Sequence, residues 1–159
     1  MEIRYLEPYI YTLSLERNKM AFISGPRQIG KTTLSKMMMT KFDQFSYKNW
    51  DETTFRKLWT KSPNLIETFF NLNEKNKSRL LILDEIHKSK SWKQKLKGIY
   101  DHLGTSLSII VTGSARLNVY NKGGDCKRNI NLSITHIFWG LATWPPYYYP
   151  HLGLIAFHT

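Results

Sequence analysis

Glycine, lysine and threonine recur early in this chain at a spacing that suits a polyphosphate. The stretch Gly25-Pro26-Arg27-Gln28-Ile29-Gly30-Lys31-Thr32 fits G-x-x-x-x-G-K-[ST], the phosphate-binding loop (P-loop) pattern, and Thr33 follows it. Gly25 and Gly30 let the backbone turn and approach an anion with no Cβ in the way. The N–H groups from Gly25 to Thr33 can then point at phosphate oxygens. Lys31 adds a point charge for the β- and γ-phosphates, and the Thr32 hydroxyl is a ligand type suited to Mg²⁺.

A second set of reactive groups follows a strand pattern. In Leu80-Leu81-Ile82-Leu83-Asp84-Glu85, four branched apolar residues read as a strand buried on both faces. The two carboxylates fall at its C-terminal edge, where open α/β sheets bind ligands. This is the Walker B pattern. Asp84 can hold Mg²⁺ through water, and Glu85 can orient and deprotonate an attacking water. Two solvated acids at a strand end are the plain alternative, and the loop upstream favours the functional reading. A third apolar run, Leu107-Ser108-Ile109-Ile110-Val111, stops at Thr112-Gly113-Ser114. Either hydroxyl, Thr112 or Ser114, could contact the attacking water or the γ-phosphate, or could simply close a turn. Asn121-Lys122-Gly123-Gly124-Asp125 approaches the guanine-reading N-K-x-D, but its aspartate comes one residue late. No D-x-x-G follows Asp84 either, because position 87 is histidine, so ATP is favoured over GTP. His87 itself reads as a surface or hinge residue rather than a catalytic one.

These groups need elements to hold them. Strands are expected near 19–24, 45–48, 80–84 and 107–112, which makes an α/β fold: a P-loop NTPase with a mostly parallel sheet flanked by helices. The helix after the loop carries Leu34, Met38 and Phe42 on one face. Asp51 or Thr53 is placed to cap a helix over Thr54–Lys61, and Pro63 to open the next, with Leu65, Ile66, Phe69 and Phe70. Ser91 opens a helix whose apolar face is Trp92, Leu96, Ile99, Tyr100 and Leu103. Its basic side, Lys88, Lys90, Lys93, Lys95 and Lys97, is either a solvated face or a grip for nucleic acid or an acidic protein. Residues 1–18 hold Leu6, Ile10 and Leu13 at near-helical spacing, a lead-in to the first strand. The tyrosines among them, Tyr5, Tyr9 and Tyr11, suit core packing better than stacking on a base.

The whole chain sets outer limits. Its 159 residues fit one domain able to bury a core, and 42% hydrophobic with 22% charged residues is ordinary for a globular protein. The net charge of +11 favours a polyanion partner without choosing among nucleotide, nucleic acid and acidic protein. A single cysteine, Cys126, excludes an internal disulfide and suits a reducing compartment. No signal peptide opens the chain and no apolar run is long enough to span a membrane, so the expected place is the cytoplasm.

With these stretches in hand, the chain resembles a bacterial and archaeal family of AAA-type ATPases in which this domain precedes a C-terminal domain of unknown function. The resembling residues are Tyr5-Leu6-Glu7-Pro8-Tyr9-Ile10, the run from Ile23 through Thr33, Asn49-Trp50-Asp51, Leu83 through Lys88, Val111 through Ser114, and Arg116 through Asp125. The resemblance implies the additional-strand type of sheet, with the sensor strand between the two motif strands. It implies Mg²⁺-dependent ATP hydrolysis by Lys31, Thr32, Asp84 and Glu85, with Thr112 or Ser114 sensing the γ-phosphate. An oligomer is compatible with it. A nucleic-acid-binding module, or a nucleotide-binding fragment without turnover, stands as the alternative.

The resemblance stops at Asp125, so residues 1–125 are read as a truncated AAA-type domain and 126–159 as a divergent tail outside the native fold. That tail has no acidic residue and crowds Phe138, Trp139, Trp144, Tyr147, Tyr148, Tyr149 and Phe157 around Pro145, Pro146 and Pro150. A shifted reading frame is preferred to a genuine aromatic tail. The last strand of the sheet would then be unfilled, and neither Arg116 nor Arg128 can be assigned as an arginine finger.

Overall fold

The apolar runs become neighbouring parallel strands of one sheet. The structure, a computed structural model, describes residues 6–17, 20–61, 69–70, 74, 77–103, 106–114 and 129–133. A lead-in helix α1 (Leu6–Ile10) runs on into a π-helical turn (Tyr11–Leu15) and is followed by β1 (Met20–Ser24). Next come α2 (Lys31–Met37) with a 3₁₀ turn at its end (Met38–Lys41), β2 (Gln44–Asn49) and α3 (Thr53–Lys61). The chain continues through β3 (Arg79–Asp84), a 3₁₀ turn (Ile86–Lys88), α4 (Trp92–Leu103), β4 (Ser108–Gly113) and β5 (Asn129–Ser133). The strand order is β2-β3-β4-β1-β5, and every neighbouring pair is parallel. β4 therefore lies between the strand that leads into the phosphate loop and the strand that ends in Asp84, which is the additional-strand arrangement. Each of the four strands expected from the sequence lies within one residue of its observed bounds.

The period-2 alternation of the strands divides the core into two layers. Met20, Phe22, Leu81, Leu83, Ile109 and Val111 face Phe55 and Trp59 of α3 and Trp92, Leu96 and Ile99 of α4. Ala21, Ile23, Leu80, Ile82 and Ile110 face Leu34 and Met38 after the phosphate loop and Ile10 and Leu15 of the lead-in. Residues 80–83 of β3 are fully buried, each contributing roughly 1.5–3 kcal/mol relative to exposure. Asp84 thus rides on one of the most firmly held strands.

The edge strand β5 lies beyond residue 125, in the stretch read as a tail. It pairs with the whole of β1, Met20 against Asn129 through Ser24 against Ser133, so the place expected to be unfilled is filled. Asn129-Ile130-Asn131-Leu132 alternates polar and apolar residues, a strand signal outweighed by the aromatic and proline content further on. Residues 134–159, residues 62–68 of the helix expected after Pro63, and the run containing Arg116 and Arg128 lie outside the described residues, whereas Phe69 and Phe70 pack in the layer of α3 and α4. Among the described residues, no helix is long and apolar enough to cross a membrane.

Candidate functional site

The loop after β1 owes its shape to two left-handed residues. Gly30 has φ 83° and ψ 24° directly before α2, a conformation glycine adopts without strain. Gln28 has φ 63°, an uncommon choice for a residue with a side chain. Such residues curl a loop so that successive N–H groups turn to one side and form a concavity for an anion. Lys31 follows Gly30 and is only 7% exposed. Its Nζ donates hydrogen bonds to the carbonyl oxygens of Gly25 at 3.0 Å and Pro26 at 2.5 Å, so the side chain folds back over its own loop. Burial lowers its pKa, against the opposing charges of Glu85 and Asp84.

At the end of β3, Asp84 is 5% exposed and collects hydroxyl donors from three elements. Thr32 at the start of α2 and Tyr47 of β2 donate to its Oδ2, at 2.9 and 2.6 Å, and Thr112 of β4 donates to its Oδ1. Burial, followed by the bond to Asp84, pushes the Tyr47 phenol well above its usual range, so it stays a donor.

Glu85 leaves the strand at once, with φ 57° and ψ 20°, while its N–H donates to the Thr112 carbonyl at 2.9 Å. Left-handed backbone at a residue with a Cβ is a form of strain that collects at functional sites. The turn brings the Glu85 Oε2 within 3.7 Å of both His87 Nε2 and Lys88 Nζ. Lys88 also grips both carboxylate oxygens of Asp51, at 2.7 and 2.8 Å. His87 Nε2 lies 3.2 Å from the Ser114 hydroxyl. Its Nδ1 is buried with no hydrogen-bond partner among the described residues, so the imidazole proton is best placed on Nε2, where oxygens are available. Burial lowers the His87 pKa, the Lys88 and Lys31 charges act in the same direction, and Glu85 and Asp84 oppose them.

These groups surround an open cleft of about 630 Å³, within the size range of small-molecule sites. One wall is Arg27, Gln28, Gly30, Lys31, Thr32 and Thr33; the other is Asp51, Asp84, Glu85 and Lys88. Gly25 and Pro26 serve the site through the carbonyls that hold Lys31. Ile29 is half-buried in the loop. Thr112 and Ser114 are not among the lining residues: Thr112 is 0% exposed behind Asp84, and Ser114 meets His87. His87 is half-buried beside Glu85 rather than on the open surface. The Asp51 carboxylate holds Lys88 and does not cap α3, where the Thr53 hydroxyl accepts a bond from Arg56. The sequence gives no sign that Asp51 and Lys88 line the cleft or that Tyr47 donates to Asp84. No local pattern could have given one, because Tyr47 and Asp51 each meet a partner 37 residues away.

The donor chemistry fits Mg²⁺. Thr32 and Asp84 offer hard oxygens 2.9 Å apart, and Mg²⁺ is commonly held by one or two such groups with phosphate and water completing the set. Among the described residues no group of three or more His, Cys, Asp and Glu side chains could hold a metal alone.

A family described as "AAA domain" matches residues 17–132 of the chain. No curated protein matches it. The fold is similar to that in a structure of C. elegans PCH-2, with TM-score 0.50 and 16% identity over 82% of this chain and 41% of that one. It is also similar to the crystal structure of a DNA replication initiation factor, with TM-score 0.53 and 17% identity over 81% of this chain and 44% of the other. The chain thus spans less than half the length of either structure, and the likeness is one of fold.

Proposed function

We propose that this chain, which belongs to the AAA-domain family, binds ATP with Mg²⁺ in the cleft and hydrolyses it to ADP and phosphate. The observation that carries this reading is the convergence of the curled loop, Lys31, Asp84 and Glu85 on one cleft at the C-terminal ends of β1 and β3. Lys31 and the loop N–H groups would stabilise negative charge on the β- and γ-phosphates. Thr32 and Asp84 would hold the ion, which supplies charge neutralisation at the transferring phosphate. Glu85 would take a proton from water as its oxygen bonds to the γ-phosphorus and the bond to the β–γ bridging oxygen breaks. His87 and Lys88 keep the Glu85 carboxylate in place, and Ser114 acts through His87. The test is phosphate release from Mg²⁺-ATP by the chain and by Glu85→Gln. Loss of about 100-fold or more is expected, the usual scale of general-base catalysis, with ATP binding retained. Turnover equal to that of the unaltered chain would contradict the assignment.

A second reading, binding of nucleic acid, rests on the outer side of the α3 and α4 layer. Lys95 donates to the Trp59 carbonyl and Lys88 to Asp51, which withdraws two cations from the expected basic stripe. Lys90 and Lys97 remain exposed there, together with Arg56, Lys57 and Lys61 of α3. DNA binding that weakens steeply with salt and is unchanged by Lys31→Ala would support it.

A further inference from the structure

Tyr47 belongs to none of the motif positions, yet its hydroxyl reaches the centre of the site. The β2–β3 register sets Tyr47 beside Ile82 and Asn49 beside Asp84, so Tyr47 and Asp84 share one face of the sheet. The ring packs against the core layer of Leu80 and Ile82. Lys36 of α2 caps it, with Nζ 4.3 Å from the ring centroid. A ring held from both sides delivers its hydroxyl in a fixed direction, here to Asp84 Oδ2 at 2.6 Å.

The number of donors on Asp84 gives that bond its meaning. A carboxylate has about four lone-pair directions. The hydroxyls of Thr32 and Tyr47 take both of those on Oδ2, and that of Thr112 takes one of the two on Oδ1; a Thr32 hydroxyl turned to the ion would open one direction on Oδ2, aimed by the bond that Tyr47 keeps. Thr32 is itself a residue that would hold Mg²⁺, and Thr112 grips only the buried oxygen. Tyr47 is therefore the donor outside the phosphate loop that prevents the cleft-side oxygen from turning. Hydrogen bonds that orient a metal's oxygen ligands typically change metal affinity by about 10–100-fold when lost.

We propose that Tyr47 is a positioning residue for the metal that accompanies the nucleotide: by fixing Asp84 Oδ2 it sets the affinity of the site for the divalent ion. This rests on the Mg²⁺-ATP reading above. The test uses the full chain and two titrations: ATP in the presence of EDTA, followed by calorimetry, and Mn²⁺ in the presence of saturating ATP, followed by electron paramagnetic resonance. Tyr47→Phe removes one oxygen and keeps the ring, so ATP binding in EDTA is expected to be unchanged, which also shows that the variant is folded. Its Mn²⁺ affinity is expected to fall about tenfold. Mn²⁺ affinity in Tyr47→Phe equal to or tighter than that of the unaltered chain would overturn the proposal. If the unaltered chain itself binds no ATP, the reading beneath the proposal fails and the proposal falls with it, a result distinct from any difference between the two chains.

Discussion

Asp84 is a buried carboxylate whose two oxygens accept hydroxyls from α2, β2 and β4, so each donor should matter to stability as well as to ligand binding. Thr112→Val keeps the shape but leaves Oδ1 without its partner. The expected cost is about 2 kcal/mol, the scale of losing a hydrogen bond to a charged group, read as a lower urea midpoint at unchanged slope. His87 should make stability depend on pH. Its folded pKa lies below the ordinary value of 6.5, chiefly through burial. The unfolded chain therefore binds the proton first on acidification, and the stability present above pH 6.5 is lost as pH falls toward the folded pKa. Chemical denaturation between pH 7.5 and 5.5 should show this decline, and His87→Gln should flatten it. That Lys31, Thr32 and Asp84 share one cleft was legible because each stands at a fixed place in a motif, and their phosphate and metal roles are part of the proposed function. The meeting of Tyr47 with Asp84, and of Asp51 with Lys88, depends on strand register and on the turn at Glu85, and no run of neighbouring residues encodes it.

The strands were readable as elements because continuous branched apolar runs such as Leu80–Leu83 can hardly sit anywhere but between two covered faces. Caps were read less well, because Asp51 has a stronger partner in Lys88 than a helix N-terminus. β5 was hidden by its neighbours in sequence, although it alternates as a strand should. The α3–α4 layer rests on Trp59, which is 2% exposed with its ring centroid 5.7 Å from that of Phe55. Trp59→Ala should cost about 3–5 kcal/mol, as large aromatic truncations in cores do, measured by thermal or urea unfolding. A change within experimental error would mean that α3 is not packed on the sheet as described. β5 allows a sharper test through two shortened chains. One ending at residue 125 removes the strand and leaves the backbone groups of β1 as an open edge; one ending at residue 133 keeps the pairing. The shorter chain should aggregate or melt earlier by light scattering and circular dichroism. Equal behaviour would contradict a structural role for Asn129–Ser133.

At the scale of the molecule, the five parallel strands bring residues from 25 to 114 in the sequence to one end of the sheet. The net charge of +11 suits a nucleotide but does not select one; in the proposed function the selection would come from the local geometry of loop, Lys31 and Asp84. Composition spoke only for an ordinary globular protein; the α/β class came from the strand runs and motifs, and neither revealed that a strand beyond residue 125 pairs with β1. In the proposed function this cleft binds ATP through Lys31. The direct measurement is calorimetric titration of Mg²⁺-ATP into the full chain and into Lys31→Ala. Saturable binding is expected for the first and a loss of roughly 100-fold for the second, the scale of removing charge-assisted hydrogen bonds to phosphate. Equal affinity in the two chains, or no binding by the first, would rule out ATP binding through Lys31.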